Sequence, residues 1–135
     1  DAMSETVVGT ARYMSPERLS RKRYGPSSDI WSLGLVLAEC ATGRSPLGRI
    51  NSMVELVLTI EETSVEDLIA PELSKGLREV LFGCLQSSPE RRMPAKILVK
   101  SPWFGSHGIA GVGDASKLMQ SYLLDRISDQ ENKLS

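Results

Sequence analysis

A chain of 135 residues with a net charge of −1 and 41% apolar residues suffices for one compact domain or a piece of one, and excludes disorder throughout. The near-neutral balance excludes nucleic acid as a main partner, because phosphate backbones are met by a basic surface; the short run Arg21-Lys22-Arg23 reads as a solvated loop face. No stretch reaches the ~20 apolar residues of a membrane span, so no membrane partner is expected.

In chain order the pattern is helical. The chain opens on Asp1-Ala2-Met3, without an initiator methionine or an export signal, and reads as cut from something longer. Ser15 is placed to cap, and Pro16 to open, a short helix running to Leu19, after which Gly25-Pro26-Ser27 breaks and restarts the chain. Over residues 28–42, Ile30, Trp31, Leu33, Leu35, Val36, Leu37, Ala38, Cys40 and Ala41 leave almost no polar face. That predicts a helix buried on all sides.

Ser52 and Glu55 form a capping box ahead of Met53, Leu56, Val57 and Ile60, which repeat at helical spacing. The same spacing returns after Pro71 in Leu73, Leu77, Val80, Leu81 and Cys84, and a shorter helical segment at 95–100 is bracketed by Pro94 and Pro102. Cys40 and Cys84 thus fall in apolar helical stretches and are expected to be buried, reduced thiols in a cytoplasmic setting. Gly105, Gly108, Gly111 and Gly113 have the wrong spacing for a phosphate cradle and read as a loop. Beyond it, Asp114 is placed to cap a last helix with Leu118, Met119, Tyr122, Leu123 and Ile127 on one stripe. The fold class is mainly α, with neither strands nor an internal repeat.

The most informative residues are Gly9-Thr10-Ala11-Arg12-Tyr13-Met14-Ser15-Pro16-Glu17-Arg18, followed by Ser28-Asp29-Ile30-Trp31-Ser32-Leu33-Gly34. In this order they resemble the substrate-receiving loop, the short helix behind it and the central helix of protein kinases, in the version typical of MAP kinase kinases. The resemblance covers residues 1–104. It implies the C-terminal part of a kinase large lobe, from the activation segment through helices EF, F, G, H and I. A Gly-rich linker over 105–113 and a C-terminal tail with an amphipathic helix over 114–135 follow.

Roles for individual residues come with the resemblance. Gly9, Thr10, Ala11, Arg12, Tyr13 and Met14 would form the substrate-positioning loop. In it Thr10 matches the residue that hydrogen-bonds the catalytic aspartate and lysine of serine/threonine kinases, and Gly9 gives the backbone freedom. Residues 11–14 would shape the pocket for the residue after the phosphate acceptor, although Tyr13 serves equally as a packing residue. Thr6 and Ser4 lie where MAP kinase kinases are switched on by phosphorylation, with Ala2 at the other family position. The family's paired carboxylate and guanidinium fall on Glu17 and on Arg92 in Ser88-Pro89-Glu90-Arg91-Arg92, leaving Arg91 for solvent. Asp29 resembles the aspartate that holds the backbone of the catalytic loop, while a carboxylate favoured by the helix dipole explains it equally. Trp31 is expected beside the Glu17 and Arg92 pair, a place that any large core residue would fill.

Phosphoryl transfer relies on a glycine-rich loop, a strand lysine, a catalytic aspartate and acidic and amide metal ligands. His107 precedes Gly108 and opens no His-Arg-Asp loop, and Phe82-Gly83 and Phe104-Gly105 follow Leu81 and Trp103 rather than aspartate. No catalytic, cofactor-binding or metal-binding residue is therefore expected in this chain, and alone it should be inactive. The resemblance implies that the complete parent uses ATP and Mg to phosphorylate Ser/Thr, or also Tyr, of a MAP-kinase-like substrate. It further implies an upstream activating kinase; the cysteine usage points to a cytoplasmic location, with Arg21-Lys22-Arg23 the one run suited to a nuclear address. The alternative is a non-catalytic kinase-docking or regulatory module, using the helix at 53–60 and the tail helix near Leu118.

Overall fold

The computed structural model describes residues 2–134, with the side chains of residues 7–130, 132 and 133. Among these residues the regular structure is entirely helical. The chain forms two compact units, Asp1–Leu98 and Val99–Ser135.

The first unit contains α1 (Ala2–Ala11), α2 (Pro16–Leu19), α3 (Pro26–Thr42), α4 (Met53–Glu62), α5 (Lys75–Cys84), a 3-10 turn at Pro89–Arg91 and α6 (Ala95–Leu98). α1 departs from the expected loop. Val8 and Ala11, three residues apart on one face, are buried, and α1 packs against α4. A helix is the conformation that puts both on one face.

α2 begins as its sequence dictates, with an extended Ser15 followed by Pro16 at the first helical position. It ends in a Schellman motif. The Lys22 N–H donates to the Glu17 carbonyl at 2.8 Å and the Arg21 N–H to the Arg18 carbonyl at 3.1 Å, with Arg21 left-handed at φ 54. Gly43 closes α3 in the same left-handed region, at φ 73, and donates to the Glu39 carbonyl at 2.8 Å. α3 itself starts at Pro26, two residues ahead of the predicted stretch.

Burial of α3 on all sides is not what the structure shows. Ile30, Trp31, Leu35 and Ala38 are buried, but Leu33 and Val36 are 39% and 43% exposed and Cys40 is exposed too. The reason is that the elements packed on α3, α5 and the 3-10 turn, leave that other face uncovered among the described residues. Cys40 is therefore not the buried thiol its apolar surroundings suggest. Cys84 is buried, and burial pushes its thiol up to about 11.

The contact between α3 and α5 is close because Gly34 has no side chain. A Cβ there would lie 2.7 Å from Cys84 Cβ and 2.8 Å from Leu85 Cδ2. Around this seam Trp31, Leu35, Leu56, Val80, Leu81 and Leu85 are almost wholly buried. The helices that supply them carry local caps: Ser52 Oγ accepts from the Glu55 N–H at 3.1 Å and Ser74 Oγ from the Leu77 N–H at 3.4 Å. The returning half of the capping box is shifted, since Glu55 Oε2 accepts from the Asn51 N–H at 2.8 Å rather than from Ser52.

In the second unit α7 (Pro102–Ser106) is capped by Ser101, and α8 (Val112–Leu134) carries the expected apolar stripe, with Leu118, Met119, Tyr122, Leu123 and Ile127 all more than half exposed. The expected linker at 105–113 is thus helical at both ends. Asp114 lies inside the first turn of α8, and its Oδ2 accepts from the Ala110 N–H at 3.0 Å. Among the described residues no helix is long and apolar enough to cross a membrane.

Gly34→Ala should destabilise the chain by about 1–3 kcal/mol, because the added methyl meets Cβ and branched-chain atoms that cannot swing away. A urea titration checks this: the midpoint should fall with an unchanged slope, and an unchanged midpoint would show that the seam is loose.

Candidate functional site

The site is built around a carboxylate and a guanidinium 75 residues apart in sequence. Pro16 starts α2 and so sets Glu17 in its first turn, while Pro89 starts the 3-10 turn whose end delivers Arg92. Arg92 Nη1 donates to Glu17 Oε1 at 2.6 Å and Nη2 to Oε2 at 2.8 Å. The remaining N–H groups reach the carbonyls of Ser27 (3.1 Å), Ser87 (3.1 Å) and Gln86 (2.7 Å). Every donor of the planar fork is used.

Ser28 Oγ donates to Glu17 Oε1 at 2.6 Å, and the guanidinium carbon lies 5.3 Å from the centre of the Trp31 ring. With side chains 0% and 6% exposed for Arg92 and Glu17, the pair is shielded from water. Burial alone would raise the Glu17 carboxyl, but the bonds from Arg92, Ser28 and its own backbone N–H outweigh it and hold the group at about 2, against 4.5 for a free glutamate. The pair ties α2, the start of α3 and the segment before α6 into one knot.

A second, shallower set of contacts fixes the residues before α2. Tyr13 Oη donates to Glu39 Oε2 at 2.7 Å, Ser32 Oγ donates to the Tyr13 carbonyl at 2.7 Å, and Arg12 Nη2 donates to the Gly48 carbonyl. The bond to Glu39, with lesser help from burial and the carboxylate charge, raises the Tyr13 phenol above its ordinary range. Arg12, Tyr13 and Met14 form the turn between α1 and α2, whereas Gly9, Thr10 and Ala11 sit in the last turn of α1 rather than in a loop. Gly9 has a helical backbone that needs no glycine freedom. The candidate phosphorylation sites Ser4 and Thr6 have side chains outside the described residues.

The structure thus brings Glu17, Arg92 and Trp31 together and leaves Asp29 apart, exposed in the first turn of α3 with no hydrogen-bond partner among the described residues. Arg91 is exposed. Sequence reasoning assigned no part to Ser28, Ser32 or Glu39. Ser28 stands within the quoted Ser-Asp-Ile-Trp run, so its position carried a signal; Glu39 carried none. Among the described residues no cluster of histidine, cysteine or carboxylate side chains could hold a metal ion.

The sequence pattern of the protein kinase domain matches residues 1–104. The chain belongs to the protein kinase family. Its helical composition fits the C-terminal part of the kinase large lobe. Among curated proteins it is similar to mitogen-activated protein kinase kinase 2 of Arabidopsis thaliana, 39% identical over 120 residues, which cover 84% of this chain and 33% of that protein. Mitogen-activated protein kinase kinase 3 of Arabidopsis thaliana is 37% identical over 110 residues, 78% of this chain and 20% of that protein. For mitogen-activated protein kinase kinase SIPKK of Nicotiana tabacum the figures are 38% over 108 residues, 75% and 30%. The chain therefore spans a third or less of the length of these relatives. Within the family the segment is similar to MAP kinase kinases.

Arg92→Lys should cost this kinase segment about 1–3 kcal/mol, because an ammonium keeps the charge but cannot match both carboxylate oxygens or reach all three carbonyls. Denaturant titration near neutral pH measures it. The pH dependence has a definite sign: a folded-state value below the free one makes the contribution of Glu17 complete above about 4.5 and lost as pH falls toward about 2. Acid titration of the wild-type chain should show roughly 3 kcal/mol of loss across that window, and Glu17→Gln should flatten it.

Proposed function

We propose that this chain is the substrate-side portion of a kinase whose complete form transfers the γ-phosphate of ATP to Ser/Thr, or also Tyr, of a MAP-kinase-like protein, and that the chain alone binds no ATP and transfers no phosphate. The supporting observation is one stripe of α3. Asp29, Leu33, Val36 and Cys40 follow at intervals of four, three and four, which places them on one helix face, and all are exposed. In the family the matching aspartate holds the catalytic loop, so this face is suited to carry the segment with the catalytic aspartate and metal ligands. Those parts supply the chemistry: an aspartate to take the hydroxyl proton and Mg to neutralise the phosphates. What this chain's own residues contribute is the platform. Glu17 and Arg92 hold α2 against the core, and the turn at 12–14 is positioned over α3 through Tyr13 and Ser32.

A MAP-kinase-like substrate and an upstream activating kinase are the partners proposed for the parent. In the order given by the matched region, residues 1–104 are the partial kinase domain and 114–135 a tail with an amphipathic helix, joined through 105–113. A second reading, as a non-catalytic docking module, is favoured by α4, where Val54 and Leu58 are 70% and 49% exposed one turn apart.

Calorimetric titration of Mg-ATP into the 135-residue chain, with a phosphotransfer assay alongside, tests the proposal. No saturable heat and no incorporated phosphate are expected; saturable nucleotide binding would overturn it. A pull-down with MAP-kinase-like and upstream kinases separates the second reading, which requires capture that Leu58→Asp abolishes.

A further inference from the structure

α8 exposes every residue from Val112 to Gln130. Its 23 residues include Gly113, Ser116, Ser121, Asp125, Ser128 and Asp129, all weak helix formers, so intrinsic propensity does little to hold it. Helices of this kind gain most of their stability by packing an amphipathic face. That face is present and uncovered, with Leu118, Met119, Tyr122, Leu123 and Ile127 51–57% exposed.

The face is close to symmetric end to end. Leu118 and Tyr122 form one row at an interval of four, and Met119, Leu123 and Ile127 form the row beside it. Arg126 continues the first row, its guanidinium 5.6 Å from the centre of the Tyr122 ring. Reversing the helix about the point between Tyr122 and Leu123 sets Leu118 against Ile127, Tyr122 against Leu123, and Met119 against the aliphatic stem of Arg126. Every large apolar residue of the stripe then meets another or an apolar stem. The same reversal sets Asp129 opposite Ser116 and Lys133 opposite Val112, so no like charges meet on this face. A parallel, in-register pair would instead bring Arg126, Asp129 and Lys133 each against its own copy.

We infer that α8 pairs with α8 of a second copy of this chain, antiparallel, about a two-fold axis that passes between Tyr122 and Leu123. The self-complementary stripe selects the second copy, because the charges on this side alternate in sign (Arg126, Asp129, Lys133) and offer no block of one sign to an oppositely charged partner. Arg126, in the middle of the stripe, fixes the orientation. Five large side chains at about half exposure leave on the order of 500 Å² per copy, so pairing removes roughly 1,000 Å² in all, at the lower bound for a specific contact. The association is therefore weak, half complete at roughly 10–100 µM. It is independent of the catalytic reading above.

Sedimentation equilibrium of the 135-residue chain, in a Cys40→Ser background that removes the exposed thiol, tests the inference. A reversible monomer–dimer equilibrium is expected. Leu123→Asp should weaken it about tenfold or more, whereas Leu124→Asp, the same change on the neighbouring residue off the stripe, should leave it within about twofold. Arg126→Leu should tighten it about threefold or more, because an apolar side chain then fills the centre of the stripe. Orientation is read by mild oxidation of a mixture of Leu118→Cys and Ile127→Cys chains, in which the mixed disulfide should form in preference to either self-disulfide. The inference is overturned by a chain still monomeric at about 500 µM, which would leave the face to a different protein. Equal loss in the Leu124→Asp variant would overturn it as well, and so would self-crosslinking of the Leu118→Cys chain in excess of the mixed product.

Discussion

The rest of this structure depends on the enclosure of one carboxylate by one guanidinium. Desolvating both charges is expensive, and only the two-pronged contact of Glu17 with Arg92, completed by Ser28 and three carbonyls, offsets it. Because the partners are contributed by segments 75 residues apart, the contact is also a long-range constraint on topology. α2 cannot drift from the segment before α6 without leaving a buried charge unpaired. Trp31, nearly wholly buried below the guanidinium, couples the same knot to the apolar seam between α3 and α5.

That coupling explains why the segment has one well-packed side and one open side. Gly34, Leu35 and Ala38 face the seam, while Asp29, Leu33, Val36 and Cys40 follow the opposite stripe. A central helix with apolar residues on both faces belongs in a larger lobe, and family membership supplies the reason. The packed side carries the stability. Tyr13 and Arg12, in the turn between α1 and α2, are tied down by Glu39 and Gly48.

Helices α2 to α5 were legible from residues 15–84 because their limits are set by local chemistry: Pro16, Gly43, the Ser52 cap and the spacing of Leu77, Val80, Leu81 and Cys84. The placement of residues 17 and 92 was legible only through motif context, since nothing local to either announces a partner so distant. α1 was not legible as a helix. The family resemblance assigns a loop there, whereas Val8 and Ala11 in this chain are buried and α1 packs on α4. Cys40 misled for a related reason: apolar neighbours in sequence describe a helix face, and burial depends on what packs on it. Ser28 and Glu39 escaped because a hydroxyl or carboxylate acquires its role only once folding brings its partner within reach.

A double-mutant cycle across the central pair is the most direct measurement, comparing Glu17→Gln, Arg92→Met and the two combined by equilibrium denaturation near neutral pH. The account predicts a coupling energy of about 2 kcal/mol or more, with the double variant more stable than the sum of the single losses allows. Additive losses would show that the two side chains do not depend on each other, and would contradict it.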